Sequence, residues 1–171
     1  MRQALFLFAA TAVLAGCASF ASGPSATATL APTAGSSTAG TVQFAQQGER
    51  VKVSGEIRGL RPNAEHGFHV HEKGDCSSPD GTSAGGHYNP SSRPHGRHGA
   101  GAHHVGDLPS LRADAAGVAR FSFESTSISV GAGAGDITGR GLIVHRDPDD
   151  YTTQPTGNAG ARLACAVIVR H

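Results

Sequence analysis

The sequence predicts an all-β protein, a Greek-key β-sandwich or flattened β-barrel with two long functional loops, and three observations predict it. Short apolar runs that alternate with period two recur along the chain. Turn residues divide them, with 24 Gly and 9 Pro among 171 residues and no Trp. No segment carries the apolar stripe of an amphipathic helix, so the layers must be built from sheet.

The N-terminal stretch stands apart. Arg2 precedes the apolar run "ALFLFAATAVLAG", and Cys17 follows. This reads as an export signal over residues 1–16 rather than as part of the fold. "LAGC", Leu14 to Cys17, resembles the bacterial lipobox, where cleavage ahead of the cysteine leaves its thiol to carry a diacylglyceryl group. Cys17 is therefore the expected lipidation site, and two or more acyl chains there would anchor the protein stably to a membrane. The competing reading is an ordinary secretory signal with an incidental cysteine. Residues 17–38 are mostly small and polar and read as a flexible tether that already contains part of a first strand, around Ala26 to Leu30. One domain is expected over residues 39–171.

Within that domain, "TVQFAQQGERVKVSGEI" alternates at Val42 and Phe44, turns near Gly48 and alternates again at Val51 and Val53, which is the pattern of a hairpin. "LPSLRADAAGVARFSF" repeats it with a turn at Asp114 to Gly117, followed by Ala119, Phe121 and Phe123. "GLIVH" and "RLACAVIV" are apolar runs of strand length, rich in β-branched residues. "GAGAGD" at 131–136 is glycine-rich but lacks the strand-then-helix setting that a dinucleotide site requires.

Charge narrows the partners. The whole chain has 14 Lys and Arg against 13 Asp and Glu, and removal of Arg2 with the signal would leave 13 of each. No basic patch is present to track phosphates, so a nucleic-acid partner is not expected. No run of 18 apolar residues is present either, so any membrane attachment falls to the lipid alone. With Cys17 assigned to lipid, Cys76 and Cys165 remain, and an oxidising compartment makes them a disulfide.

The stretch between "GFHVH" and "GDLPSL" is too long to be idle: a structureless segment of that size inside a compact domain is functional or cross-linked. It holds His87, His95, His98, His103 and His104, with Cys76 near its start and Asp107 beyond its end. In a strand, residues two apart share a face at about 6–7 Å, close enough for two imidazoles to meet one ion. His69 and His71 meet that condition. His66, an odd number of positions from both, points the other way and reads as a core or surface histidine. His145 ends an apolar strand, where it can leave the core for a loop. Ten histidines, few charges and no nucleophile motif point to a transition metal.

The chain resembles the copper/zinc superoxide dismutase family through "HGFHVHEKGDC", "GGHYNP", "RPHG", "HVGDL", "GLIVH" and "TGNAGARLAC", in that order, over about residues 26–171. The resemblance implies copper held by His69, His71, His87 and His145, and zinc held by His87, His95, His104 and Asp107. His87 would be shared, since an imidazolate offers one nitrogen to each of two cations. Four nitrogens suit Cu(II), and three nitrogens with a carboxylate suit zinc. His104 is chosen over His103 because the motif runs directly into "VGD", which leaves His98 and His103 as solvated loop residues. Asp149 would join His69 to His95. Arg162 would dock the superoxide anion beside copper, with Thr156 narrowing the same opening.

The implied reaction is dismutation of superoxide to dioxygen and hydrogen peroxide, with copper changing valence, His87 carrying a proton and zinc keeping His87 aimed. The Glu and Lys steering cluster of the family's eukaryotic members is missing from "HRDPDDYTTQPTGNAG", which leaves Lys73 and Arg162 as the nearby cations. Ala166 stands where many relatives have Gly, and "RPNAE" is one residue longer than a common form. The competing function is a copper- and zinc-buffering module without turnover, which would need the same histidines but not Arg162 or Thr156. Expected surroundings are the periplasm or cell envelope, as a lipid-anchored monomer or homodimer.

Overall fold

Alternation in the sequence becomes a curled, antiparallel sheet. The structure, a computed structural model, describes residues 23–171. The stretch read as an export signal, residues 1–16, and the expected lipidation site Cys17 lie outside the described residues. Ten strands follow in order: β1 (Ser25–Pro32), β2 (Ala39–Gln47), β3 (Arg50–Arg58), β4 (Glu65–His66), β5 (Phe68–His71), β6 (Leu111–Arg112), β7 (Ala119–Ser125), β8 (Gly141–His145), β9 (Arg162–Val167) and β10 (Val169–Arg170). Among the described residues the only helical element is a single 3-10 turn, Thr82–Ala84.

The main sheet runs β5-β8-β9-β1-β2-β3-β7, with β10 beside β1, while β4 and β6 form a separate pair. β5 follows β3 closely in sequence yet lies at the far edge beside β8, and the chain then returns with β7 to pair β3. That long return is the Greek-key connection. The predicted hairpin closes in register, with Val42 opposite Gly55 and Phe44 opposite Val53. Val42, Phe44, Val51 and Val53 are fully buried, and Phe68, Val70, Leu142 and Val144 complete the interior from β5 and β8.

β8 shows why "GLIVH" has no polar alternation. Its inner face sends Leu142 and Val144 into the barrel, and its outer face places Ile143 against Ala84 and Cys165. A strand covered on both sides reads as a continuous apolar run. The cover is the 72–110 loop, which the Cys76–Cys165 disulfide binds to β9 with Cα atoms 5.8 Å apart. Bridges between His71 and His87 and between His69 and Asp107 lay the same loop along β5.

The first strand expected around Ala26 to Leu30 runs Ser25–Pro32, where β1 pairs with β2, β9 and β10 and buries Ala26, Ala28 and Leu30. The turn at Asp114 to Gly117 is present, closed by Asp114 N–H to the Val118 carbonyl at 2.9 Å. Its two arms nevertheless part company: β7 pairs with β3, and β6 with β4. The glycine-rich 131–136 loop folds around a carboxylate, with Asp136 Oδ1 accepting from the Gly131 and Thr138 N–H groups.

Candidate metal centre

Strand parity brings the first two histidines together. His69 and His71 project from β5 on the loop side, their ring centroids 6.4 Å apart. His145 reaches them from the end of β8, on the same outer face as Ile143, where the pairing with β9 shifts register after Val144 and sets it opposite Arg162. His87 arrives from the loop through its bridge to His71. One donor atom from each of His69, His71, His87 and His145 lies within 4.8 Å of the others. A second buried group, His87, His95, His104 and Asp107, meets the same limit and shares His87.

The hydrogen bonds behind each ring decide which nitrogen faces inward. His71 Nδ1–H donates to the Gly85 carbonyl at 2.9 Å and His145 Nδ1–H to that of Gly160 at 3.2 Å. Both therefore present Nε2, and these two atoms stand 3.4 Å apart. His69 does the reverse: its Nε2–H donates to Asp149 Oδ2 at 2.7 Å, which turns Nδ1 inward. Asp149 Oδ1 accepts from His95 Nε2–H at 2.8 Å, so one carboxylate ties the two groups together.

The second group has a compact donor set. Asp107 Oδ1 lies 2.9 Å from His87 Nδ1, 3.0 Å from His95 Nδ1 and 3.5 Å from His104 Nδ1, and His87 and His104 Nδ1 are 3.4 Å apart. Asp107 Oδ2 is occupied by the N–H groups of Gly96 and His104, which aims Oδ1 at the rings.

Burial pushes His69 down to about 4, overriding its bond to Asp149. Burial and neighbouring imidazoles hold His71 and His145 well below the usual histidine value, and burial lowers His104. His95 goes the other way. Burial opposes its cation, yet hydrogen bonds to Asp107 and Asp149 raise it to about 9. Burial alone would raise the two carboxyls, but the same imidazoles hold both well below the usual carboxylate range.

A family model described as copper/zinc superoxide dismutase (SODC) matches residues 38–168. The chain belongs to the copper/zinc superoxide dismutase family. It is 46% identical over 136 residues to a Cu-Zn superoxide dismutase of Paramecium bursaria Chlorella virus 1, covering 75% of this chain and 71% of that one. It is 39% identical over 136 residues to one from Caulobacter vibrioides, covering 76% and 78%. Against one from Cryptococcus neoformans var. grubii it is 43% identical over 137 residues, covering 75% and 88%.

The residues fit both metals of the superoxide dismutase family. Among the described residues, three buried side-chain nitrogens have no hydrogen-bond partner: His66 Nε2, His69 Nδ1 and His87 Nε2. An unsatisfied buried nitrogen costs about 1–3 kcal/mol. A cation in the first group would relieve the last two. The neutral imidazoles of His69, His71 and His145 offer it lone pairs without losing protons, which suits copper. In the second group, the spacings of 2.9–3.5 Å resemble the edges of a tetrahedron of donors about 2.0–2.1 Å from a central zinc, an edge of about 3.3 Å.

Arg162 follows directly on the first group, opposite His145 across the β8–β9 ladder. It is half-buried, which lowers the affinity of its guanidinium for protons, and it donates to the Gly81 and Gly85 carbonyls at 2.6 Å each. Thr156 is half-buried and, among the described residues, hydrogen-bonds to neither group. His66 belongs to neither donor group; it is buried, and its Nδ1–H donates to the His145 carbonyl at 2.9 Å. His98 and His103 are half-buried rather than fully solvated, and each bonds to a backbone carbonyl.

Other residues were not anticipated from the sequence. Gln154 clamps the His95 backbone, accepting its N–H at 2.8 Å and donating to its carbonyl at 2.9 Å. Gly157 lies against the Asp149–His95 link at a φ of 65°, and a Cβ there would overlap the Asp149 carboxylate. The signal for Gly157 was its place in "TGNAG". Gln154 had none, because its partner is remote in the chain.

Proposed function

We propose that this chain dismutes superoxide at the bacterial cell envelope, converting two superoxide anions and two protons into dioxygen and hydrogen peroxide. The observation that carries this reading is the pair of buried donor groups joined through His87, with Arg162 beside the first. Bound copper would supply the one-electron chemistry and bound zinc a fixed positive charge. His69 Nδ1, His71 Nε2, His87 Nε2 and His145 Nε2 would hold copper. His87 Nδ1, His95 Nδ1, His104 Nδ1 and Asp107 Oδ1 would hold zinc.

The remaining work falls to this chain's own side chains. Arg162 keeps two donors on Gly81 and Gly85, and its other N–H groups are free to bind a small anion. Peroxide formation consumes protons, and His87 Nε2, buried without a protein partner, is the atom placed to carry one. Asp149 keeps the His69 and His95 rings from turning.

The N-terminal reading supplies the location. Residues 1–16 form the signal peptide, and Cys17 carries lipid that holds the domain in the periplasm or at the envelope, as a monomer or homodimer. Labelling with palmitate, followed by N-terminal analysis of the mature protein, tests that part. For the activity, His145→Ala should keep its zinc and lose dismutation. Native turnover in that variant would overturn the site assignment.

A further inference from the structure

Two imidazoles outside the metal groups grip the backbone of the zinc side. His98 Nδ1–H donates to the carbonyl of Asp107 at 2.9 Å, and His103 Nδ1–H to the carbonyl of His104 at 2.6 Å. A carbonyl only accepts, so each ring must carry its proton on Nδ1. The same two rings lean on the barrel wall. His98 meets Phe123 of β7 edge-on with centroids 6.1 Å apart, and lies 5.4 Å from His103, whose Nε2 is 3.4 Å from the Ser127 hydroxyl.

Between the two histidines the chain makes a loose excursion. Gly99 and Gly101 have φ of 73° and 60°, and a Cβ at either would touch nothing within 4 Å. Packing therefore does not hold this turn. Its ends are nevertheless where two zinc ligands begin and end: Gly96 and His104 give their N–H groups to Asp107, and Asp107 N–H returns to the His104 carbonyl at 3.2 Å.

We propose that His98 and His103 are positioning residues of the zinc site, each fixing the carbonyl of a zinc-ligating residue and together fastening the glycine-rich turn to β7. This rests on the reading that the second donor group holds zinc. Without the braces, glycine freedom on one side of His104 would let its ring and the Asp107 carboxylate drift from the common centre before a cation arrives.

The test is zinc affinity, measured by competition with a chelator, on the full chain carrying His98→Ala, His98→Asn or His103→Ala. An asparagine amide N–H lies where the histidine Nδ1–H lies, so His98→Asn should stay within about threefold of native. His98→Ala should weaken zinc by about tenfold or more, the size of effect seen when a partner of a ligand is removed. The visible absorption of cobalt(II) placed in the zinc group should change in the Ala variant and not in the Asn variant, which a general loss of stability would not produce. If His98→Ala fails to fold, His98→Gln replaces it, because its amide reaches one bond too far to restore the contact.

Unchanged zinc affinity in His98→Ala, or equal weakening in His98→Asn and His98→Ala, overturns the bracing role while native zinc uptake leaves the metal assignment standing. A native chain that takes up no zinc overturns the metal assignment, and the bracing role with it.

Discussion

His71 and Arg162 meet at one atom: the Gly85 carbonyl accepts from His71 Nδ1–H at 2.9 Å and from Arg162 Nη2–H at 2.6 Å. The residue that would dock the anion and a residue that would hold copper are thus oriented by the same peptide group. Arg162→Lys should disturb both, since an ammonium cannot span the Gly81 and Gly85 carbonyls while still facing the anion. Activity at full metal loading should fall about 10–100-fold in Arg162→Ala and less in Arg162→Lys. The copper electron-paramagnetic spectrum should shift in both. Native activity in Arg162→Ala would overturn its anion-docking role, whereas negligible activity of the fully metal-loaded native chain would favour metal buffering over turnover.

Asp149 links His69 to His95, and Gly157 is the backbone that lies against it. In Asp149→Asn one of the two imidazoles loses its acceptor, because the amide nitrogen cannot accept. Affinity for copper, zinc or both should drop by about 10–100-fold. Gly157→Ala should reach a similar end by collision and backbone strain, destabilising the fold by about 1–3 kcal/mol. Metal titrations together with denaturant melts separate lost ligation from lost fold.

The legible parts of this site follow local rules. Strand parity pairs His69 with His71, a terminal position frees His145, and cysteine counting joins Cys76 to Cys165. The rest depends on partners brought by folding. Whether a ring presents Nδ1 or Nε2 depends on the Gly85 and Gly160 carbonyls or Asp149, none adjacent in sequence to its ring. His66 acts on a backbone carbonyl, which any residue at 145 would supply, so no sequence pattern marks it. The pairing of β6 with β4 was hidden for a similar reason: alternation shows that a segment is strand, not which strand it meets.

The disulfide carries more than stability. It ties residue 76 of the loop to β9, the strand that begins at Arg162, and the intervening loop segment presents Gly81 and Gly85. Replacing both cysteines, Cys76→Ser with Cys165→Ser, should remove about 2–5 kcal/mol of stability. It should also lower activity by more than the fraction unfolded, because the carbonyls that aim Arg162 lose their nearest covalent tie. Activity per folded, metal-loaded molecule checks this, and an unchanged value would limit the bond to a stabilising role.

The metal-free protein should be most stable near pH 6.5, with a decline on either side of different origin. Above that point His95 decides. Its folded value of about 9 exceeds the ordinary 6.5, so the contribution from its contacts with Asp107 and Asp149 is fully present below pH 6.5 and is lost as pH rises through 9. Below that point His69 decides, with His71 and His145 acting in the same direction. Its folded value of about 4 lies under 6.5, so between those values the unfolded chain binds more protons and stability falls as pH falls. Zinc should abolish the alkaline decline, because His95 Nδ1 would then face the metal instead of holding a proton. Zinc uptake at pH 7 should accordingly release a proton from His95, measurable as a buffer-dependent heat of binding. A heat independent of buffer, or a metal-free melting temperature that stays level from pH 6.5 to 9, would mean that His95 is not a cation between the two carboxylates.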